Sequence, residues 1–458
     1  MKILIKDAKA VVTMNDKREI LYNQNILITD NYISYIGTEE KEADRVIDAS
    51  TMYVYPGLIN THHHLFQTFT RNIPDVQNLE LFPWLNYLYE VWRHMDDEIV
   101  YKSALTGISE LVKYGCTTVF DHHYLHRSDI ECKFVDQQFK AAKIIGARFH
   151  SSRGGMDLGV DDGGLPPMGA VQSTEDILKD SERVIKEYHD SSRYSMQQVV
   201  LAPCAPFNVT EELMVKSASL ARKYGVRLHT HLCETLDEEV YCLENFGMRP
   251  LEYMVKLGWT GSDVWFAHGI HFNDEELKLL ADTKTGVSYN PCSNQKLSSG
   301  IARISEMVKL GVPVGLAVDG SASNDNSNLL SELRAGYLMQ RLKYSNDCIT
   351  VDDMLHVATR GGAEILGRND IGYLEVGMAA DMFLIDTNRV QYIGALHDPV
   401  GLLTTVGVNH PVDYTIINGR IIVEDGEIKT ISEKELIKVA NEASDKFIAR
   451  SKNNRFNK

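Results

Sequence analysis

The sequence predicts a (β/α)8 barrel, the TIM-barrel class of α/β fold, flanked by a small β-sandwich built from both chain ends. Three observations carry that expectation. Both ends read as short alternating strands, residues between them repeat an apolar strand and an amphipathic helix eight times, and the polar residues suited to chemistry fall where those strands end.

Residues 1–55 open with Lys2-Ile3-Leu4-Ile5 and Asn25-Ile26-Leu27-Ile28-Thr29, broken by turn residues at Asp30-Asn31. Residues 378–430 return to that pattern with Asp381-Met382-Phe383-Leu384-Ile385, then Tyr414 to Ile417 and Arg420 to Val423 joined by an Asn418-Gly419 turn. The two ends are expected to pair as one composite sandwich, and 431–458 to form a charged helical tail on the outside. Between them, 56–377 form the barrel, with strand candidates beginning at Val54, Thr117, Ala147, Gln198, Val226, Val264, Gly286 and Val312. Helices precede most of them and stop at Gly115, Gly146, Gly225 and Gly311. Glu98 to Tyr114 shows the helical period, with Leu105, Ile108, Leu111 and Val112 on one face. A doubly wound sheet is the alternative, but no G-x-G-x-x-G follows the first strand and no Gly-rich loop ends in Lys-Ser or Lys-Thr.

Composition narrows the partners. Of 458 residues, 47 are Lys or Arg and 63 Asp or Glu, a formal charge of −16, which argues against nucleic acid as the main partner. No run approaches the roughly 18 apolar residues of a membrane span, and Lys2, Lys6 and Asp7 break any leader-like segment, so a cytoplasmic protein is expected. Seven scattered cysteines without a C-x-x-C pair fit reduced thiols. The expected partner is a small molecule, with homo-oligomerisation left open.

A barrel gathers the C-terminal ends of its strands in one mouth. Strand 1 ends in Asn60-Thr61-His62-His63-His64, where the two-residue period points His62 and His64 to one side and His63 away. Strand 5 ends in His229-Thr230-His231-Leu232-Cys233-Glu234, strand 6 in Phe266-Ala267-His268, and strand 8 in Val318-Asp319-Gly320. Imidazoles at i, i+2 with a third imidazole and a carboxylate supply N and O donors to one divalent metal, zinc before iron. His231 is the favoured third imidazole and His229, two residues deeper on the same face, the runner-up. Strand 2 ends in His122-His123, of which one is expected to face the pocket, and His123 is the candidate for substrate contact.

The segments Pro56 to His64, His231 to Glu234, Phe266-Ala267-His268 and Val318 to Asn324 resemble the amidohydrolase superfamily, in its cytosine and guanine deaminase and chlorohydrolase branch, over essentially the whole chain. His62 to Arg71, Thr117 to Leu125, Gly163 to Pro167 and Leu396 to Pro399 are similar to the 8-oxoguanine deaminases and the related hydroxyatrazine hydrolases. The resemblance implies one metal held by His62, His64, His231 and Asp319, and catalytic roles for Glu234 and His268. Binuclear members carry a lysine at the end of strand 4, and Val199 to Phe207 has none, which implies a mononuclear site. The other zinc deaminase signature is absent, because Pro291-Cys292 is followed by Ser293-Asn294-Gln295.

Such a site suits hydrolytic deamination of an aminated heterocycle. A divalent cation lowers the pKa of bound water from about 16 towards 7. Glu234 would carry that proton to a ring nitrogen, His268 would stabilise the attacking water or developing oxyanion, and Asp319 would pass a proton to the leaving amine. The expected substrate is 8-oxoguanine, giving uric acid and ammonia. The alternatives are hydroxyatrazine-type triazines, by amide or C–Cl hydrolysis, then guanine and isoxanthopterin. Gln67, with a donor and an acceptor in one side chain, and Trp92, as an aromatic wall, are the further candidates for substrate contact.

Overall fold

A computed structural model describes residues 1–455 of the chain. Eight parallel strands lie side by side in chain order: β1 (Leu58–Asn60), β2 (Cys116–Asp121), β3 (Arg148–Gly155), β4 (Gln197–Pro203), β5 (Arg227–Leu232), β6 (Val264–His268), β7 (Gly286–Tyr289) and β8 (Val314–Leu316). All six residues of β2 and all eight of β3 are buried, as expected of parallel strands covered on both faces. The ladder does not continue from β8 to β1. There the barrel is stitched by the Thr61 amide donating to the Leu316 carbonyl at 3.1 Å and the Asp319 amide donating to the His62 carbonyl at 3.2 Å. The second of these bonds joins two residues of the mouth directly.

Local chemistry explains where the helices begin and end. Asp96 caps the helix Asp97–Lys113 by accepting from the Ile99 amide, and Thr210 caps Glu211–Tyr224 through the Leu213 amide. Gly146 and Gly225 end their helices in the left-handed region, at φ of +88° and +68°.

The first strand departs from the expectation of one run beginning at Val54. Met52–Pro56 instead pairs antiparallel with Met382–Asp386 in the flanking sheet, and β1 starts after Gly57. Gly57 marks the break because the chain crosses there from one sheet to the other. Its amide donates to the Asp381 carbonyl at 3.0 Å, and a Cβ at this position would collide with the Thr117 side chain.

A seven-stranded sheet therefore mixes both chain ends, and a four-stranded sheet holds Lys2–Ala8, Gln24–Thr29, Tyr32–Gly37 and Arg45–Asp48. Ile3, Ile5, Ile26 and Ile28 from one sheet pack on Val54, Met382, Leu384 and Ile416 from the other. The hairpin from Tyr414–Ile417 to Arg420–Glu424 turns at Asn418 and Gly419, both at positive φ, as a two-residue turn of this hand requires. The last helix, Glu433–Arg455, is tied to Asp97–Lys113 by Lys113–Glu433 and Arg450–Asp96 ion pairs, each at 2.6 Å, and buries Phe447. Among the described residues no helix is long and apolar enough to cross a membrane.

Candidate active site

The strand ends bring His62, His64, His231, Glu234, His268 and Asp319 together at one end of the barrel. Three of these ends leave the sheet through left-handed residues that are not glycine: Cys233 at φ +54°, His268 at +74° and Asp319 at +63°. Each such residue costs about 1–3 kcal/mol of backbone strain, so the surrounding structure must hold it in place.

The hydrogen bonds fix which nitrogens face inward. His64 Nδ1 donates to the His122 carbonyl at 2.8 Å and His231 Nδ1 to the Cys204 carbonyl at 2.6 Å. His229 Nδ1 donates to the Trp265 carbonyl at 2.9 Å, which leaves His229 Nε2 to accept from His62 Nδ1 at 2.8 Å. A carbonyl only accepts, so each donating ring carries its proton on that nitrogen and a lone pair on the other. The inward Nε2 atoms of His62, His64 and His231 are therefore all lone pairs. His64 Nε2 lies 3.1 Å from His231 Nε2, and Asp319 Oδ1 lies 3.2 Å from His62 Nε2 and 3.3 Å from His64 Nε2.

Four acceptors converge without a donor among them, and His62 Nε2 is buried with no partner. Such an arrangement suits a cation and repels itself without one. Burial keeps the imidazoles neutral, the ligand form; it is the largest cause that lowers His62 and His231 and takes His64 down to about 3. Ser293 and Ser323 hydroxyls donate to Asp319 Oδ2 at 2.5 and 3.1 Å.

Glu234 and His268 form a second, proton-carrying group beside these donors. The His268 Nε2 lies 3.5 Å from Glu234 Oε2, while His268 Nδ1 donates to Asn294 Oδ1 at 2.9 Å. Burial is the largest cause that raises the Glu234 carboxyl. Burial also presses the His268 imidazolium down, but Glu234 and Asp319 overcome it and leave it raised.

A cavity opens on both groups, walled by Gln67, Trp84, Tyr89, Tyr124, Cys204 and Asn208. Gln67 lies on the short helical turn Leu65–Thr70 and is buried rather than a surface amide. Its Oε1 accepts from the Ala322 amide at 3.4 Å, and Asn208 Nδ2 donates to the Tyr89 hydroxyl at 3.0 Å.

Two of the sequence-predicted contacts lie elsewhere. His123 turns away from the cavity, its Nδ1 3.1 Å from Gln138 Nε2 and its ring against Phe66, His126 and Phe134. Its neighbour His122 faces the imidazole group instead, with its ring 4.7 Å from that of His231, its Nε2 donating to the Ala202 carbonyl and its Nδ1 left without a partner. His62, His64, His122 and His231 can each bring a ring nitrogen within 4.8 Å of the others. Trp92 donates to Thr70 Oγ1 at 3.1 Å and packs on Phe66 behind the cavity wall, where Trp84 takes the lining position. Tyr124, Cys204 and Asn208 were not singled out from the sequence, since neither period nor spacing marks them.

The chain is similar to several known proteins. Residues 53–422 match the model of the amidohydrolase family. An 8-oxoguanine deaminase of Pseudomonas aeruginosa is 44% identical over 402 residues, covering 88% of this chain and 89% of that protein. A hydroxydechloroatrazine ethylaminohydrolase of Pseudomonas sp. is 42% identical over 411 residues, covering 89% of this chain and 85% of that one. The crystal structure of an atrazine chlorohydrolase from Arthrobacter aurescens complexed with zinc superposes with a TM-score of 0.93 at 30% identity, covering 96% of this chain and 100% of that one.

Proposed function

The chain belongs to the amidohydrolase family, and from that membership and the cavity's chemistry we propose that it is a zinc-dependent hydrolytic deaminase whose substrate is 8-oxoguanine. The observation that carries the reading is the buried Glu234–His268 pair beside four converging acceptors. A deaminase needs both features: a way to make water nucleophilic and a proton carrier for ring nitrogen and leaving amine.

His62, His64, His231 and Asp319 are the residues that would hold the metal, and their lone pairs and charge fit a borderline-hard divalent cation. When bound, that cation lowers the pKa of water from about 16 towards 7. As water adds to the carbon bearing the amine, Glu234 takes its proton and delivers it to the adjacent ring nitrogen. His268 donates to the oxygen that gains negative charge. Asp319 accepts the remaining hydroxyl proton and passes it to the amine, which leaves as ammonia while the carbon becomes a carbonyl. The sum is C–NH2 plus water to C=O plus ammonia.

The cavity wall supports a flat, polar, bicyclic base. Gln67, Tyr89, Tyr124 and Asn208 offer donors and acceptors along the cavity wall, and a site built to match polar groups rejects analogues that lack them by orders of magnitude. The 44% identical relative is named for this substrate. Hydroxyatrazine-type hydrolysis is the second reading, favoured by the 42% identical relative and by Leu81, Leu85 and Phe207, which give the cavity an apolar face suited to an alkylamino group. The deciding experiment compares kcat/KM for 8-oxoguanine, guanine, isoxanthopterin and an N-ethylated hydroxytriazine on zinc-loaded enzyme, with ammonia or ethylamine release as the readout. We expect 8-oxoguanine to lead by at least about tenfold, a margin well inside the discrimination a hydrogen-bonding site can reach. A triazine or guanine leading by that margin overturns the substrate and leaves the hydrolase.

A further inference from the structure

Glu238 lies in the helix Leu236–Phe246, four residues past Glu234, and is completely buried. Its Oε1 accepts from the Cys233 amide and its Oε2 from the Glu234 amide, each at 3.0 Å. Among the described residues it has no ion-pair partner. A buried carboxylate without a cation is costly, so two bonds to backbone alone call for an explanation.

Helix capping does not supply one. Thr235 is the N-cap and Glu238 the third helical residue, the position from which a glutamate ordinarily closes a capping box on the N-cap amide. Glu238 passes over that amide. Thr235 makes no cap bond, and its Oγ1 is buried without a partner. The carboxylate grips instead the two residues before the helix, of which Cys233 is the left-handed turn out of β5 and Glu234 reaches towards His268.

The same device recurs twice around the mouth. Asp121 Oδ1 accepts from the Leu65 amide at 2.6 Å, next to His64. Glu332 accepts from the Cys292 amide at 2.9 Å, next to Ser293, and from Asn324 Nδ2 at 2.7 Å, which also donates to the Val318 carbonyl beside Asp319. All three carboxyls are buried, none has an ion-pair partner among the described residues, and burial holds each up at about 7.

We infer that Glu238 is a positioning residue: by holding the amides of Cys233 and Glu234 it fixes the left-handed turn that aims the Glu234 carboxylate at His268 and the reacting atoms. The inference rests on Glu234 being the proton carrier. In Glu238→Gln one oxygen must serve two N–H groups and an NH2 faces the other, so the turn loosens with little change in shape.

The test is a double-mutant cycle on zinc-loaded enzyme, using whichever base in the panel above releases ammonia fastest. We expect Glu238→Gln to lower kcat about 10- to 100-fold, the usual effect of losing a group that orients an active-site residue, with KM changed less than about threefold and one equivalent of metal retained. In the Glu234→Gln background the same substitution should cost less than about twofold, because there is no proton carrier left to aim. Glu238→Asp, which keeps the charge but not the reach, should resemble Glu238→Gln and serves if the amide variant folds poorly. A Glu238→Gln enzyme with normal kcat, or one whose loss multiplies in full with that of Glu234→Gln, overturns the positioning role. If Glu234→Gln itself turns over normally, the proton-carrier reading falls, and the Glu238 inference with it.

Discussion

The Glu234 carboxylate and the His268 imidazole face each other at 3.5 Å, and both are buried. His268 is held from behind by Asn294 at 2.9 Å, while the Ser299 hydroxyl donates to Glu234 Oε1 at 3.4 Å. Glu234→Gln preserves the shape and removes the carrier. It is expected to retain metal and lose about 10²- to 10⁴-fold in kcat. His268→Asn should likewise keep its metal while slowing the chemical step. Single-turnover rates alongside metal analysis check both, and near-normal turnover in either variant would remove that residue from the proton path.

The two histidines of β5 are distinguished by their bonds. His229 spends Nδ1 on the Trp265 carbonyl and Nε2 on His62, so it orients a ligand and has no lone pair to spare, whereas His231 keeps Nε2 free towards the centre. Elemental analysis should find one divalent metal per chain, with His64→Ala, His231→Ala and Asp319→Ala losing metal and activity together. His229→Ala should still bind metal, about 10- to 100-fold more weakly, as expected for the loss of an orienting partner. Two equivalents in active enzyme, or metal retained by His231→Ala and lost by His229→Ala, would contradict this assignment.

The barrel and its ligand-bearing ends were legible because strand and helix periods are local and because parallel strands deliver their ends to one mouth. Orientation at those ends was less so. In β2 both faces are buried, so hydrophobic alternation cannot say whether His122 or His123 turns inward. The helix α1 (Leu81–Trp92) buries Leu81, Trp84, Leu85, Leu88, Tyr89, Val91 and Trp92, and a helix so widely apolar does not reveal which aromatic faces a cavity and which its neighbour Phe66. The change of sheet at Gly57 was hidden for a similar reason, since Met52 to Asn60 reads as one apolar run until its partners are known.

Gln67 is wedged against Gly320, where an added Cβ would collide with its amide oxygen. Gly320→Ala should therefore displace Gln67 without touching a metal donor. We expect Gln67→Ala to raise KM or lower kcat/KM for the preferred base by about 10-fold or more, the cost of an unmatched buried polar group. Gly320→Ala should shift the ranking of bases in the same direction. Steady-state kinetics over the substrate panel test both, and an unchanged ranking in Gln67→Ala would make that residue a structural amide.

Glu332 is raised to about 7 from an ordinary 4.5, chiefly by burial. A carboxyl raised on folding binds a proton that the unfolded chain has already lost between those two values. Its contribution to stability is full below about pH 4.5 and is lost as pH rises through 7, at about 1.4 kcal/mol per pH unit. Glu332→Gln removes this term, so its Tm should fall less than that of the parent between pH 5 and 7. Parallel Tm profiles would show that the carboxylate is already charged in the folded state at the lower pH.

Arg148 on β3 and Asp381 at the edge of the flanking sheet form a two-pronged ion pair, Nε to Oδ2 at 2.9 Å and Nη2 to Oδ1 at 3.0 Å, with both side chains buried. Asp381 also accepts from the Asn418 amide at 2.7 Å, and its carbonyl accepts from Gly57, the residue where the chain passes from sheet to barrel. This cluster fastens the two chain ends to the bottom of the barrel, away from the mouth. Removing one partner strands a charge that has no water, which costs about 3–5 kcal/mol, while replacing both with apolar residues costs less. We expect Arg148→Met and Asp381→Leu each to lower unfolding stability by that amount, and the double variant to recover part of it, short of the whole because the Tyr194 and Ser195 carbonyls also lose their donor. Urea unfolding followed by fluorescence and circular dichroism provides the measurement. If sandwich and barrel are fastened here as one cooperative unit, both probes should report a single transition in the parent, and the single variants should separate them. Additive losses in the double variant would show that the two charges are not coupled.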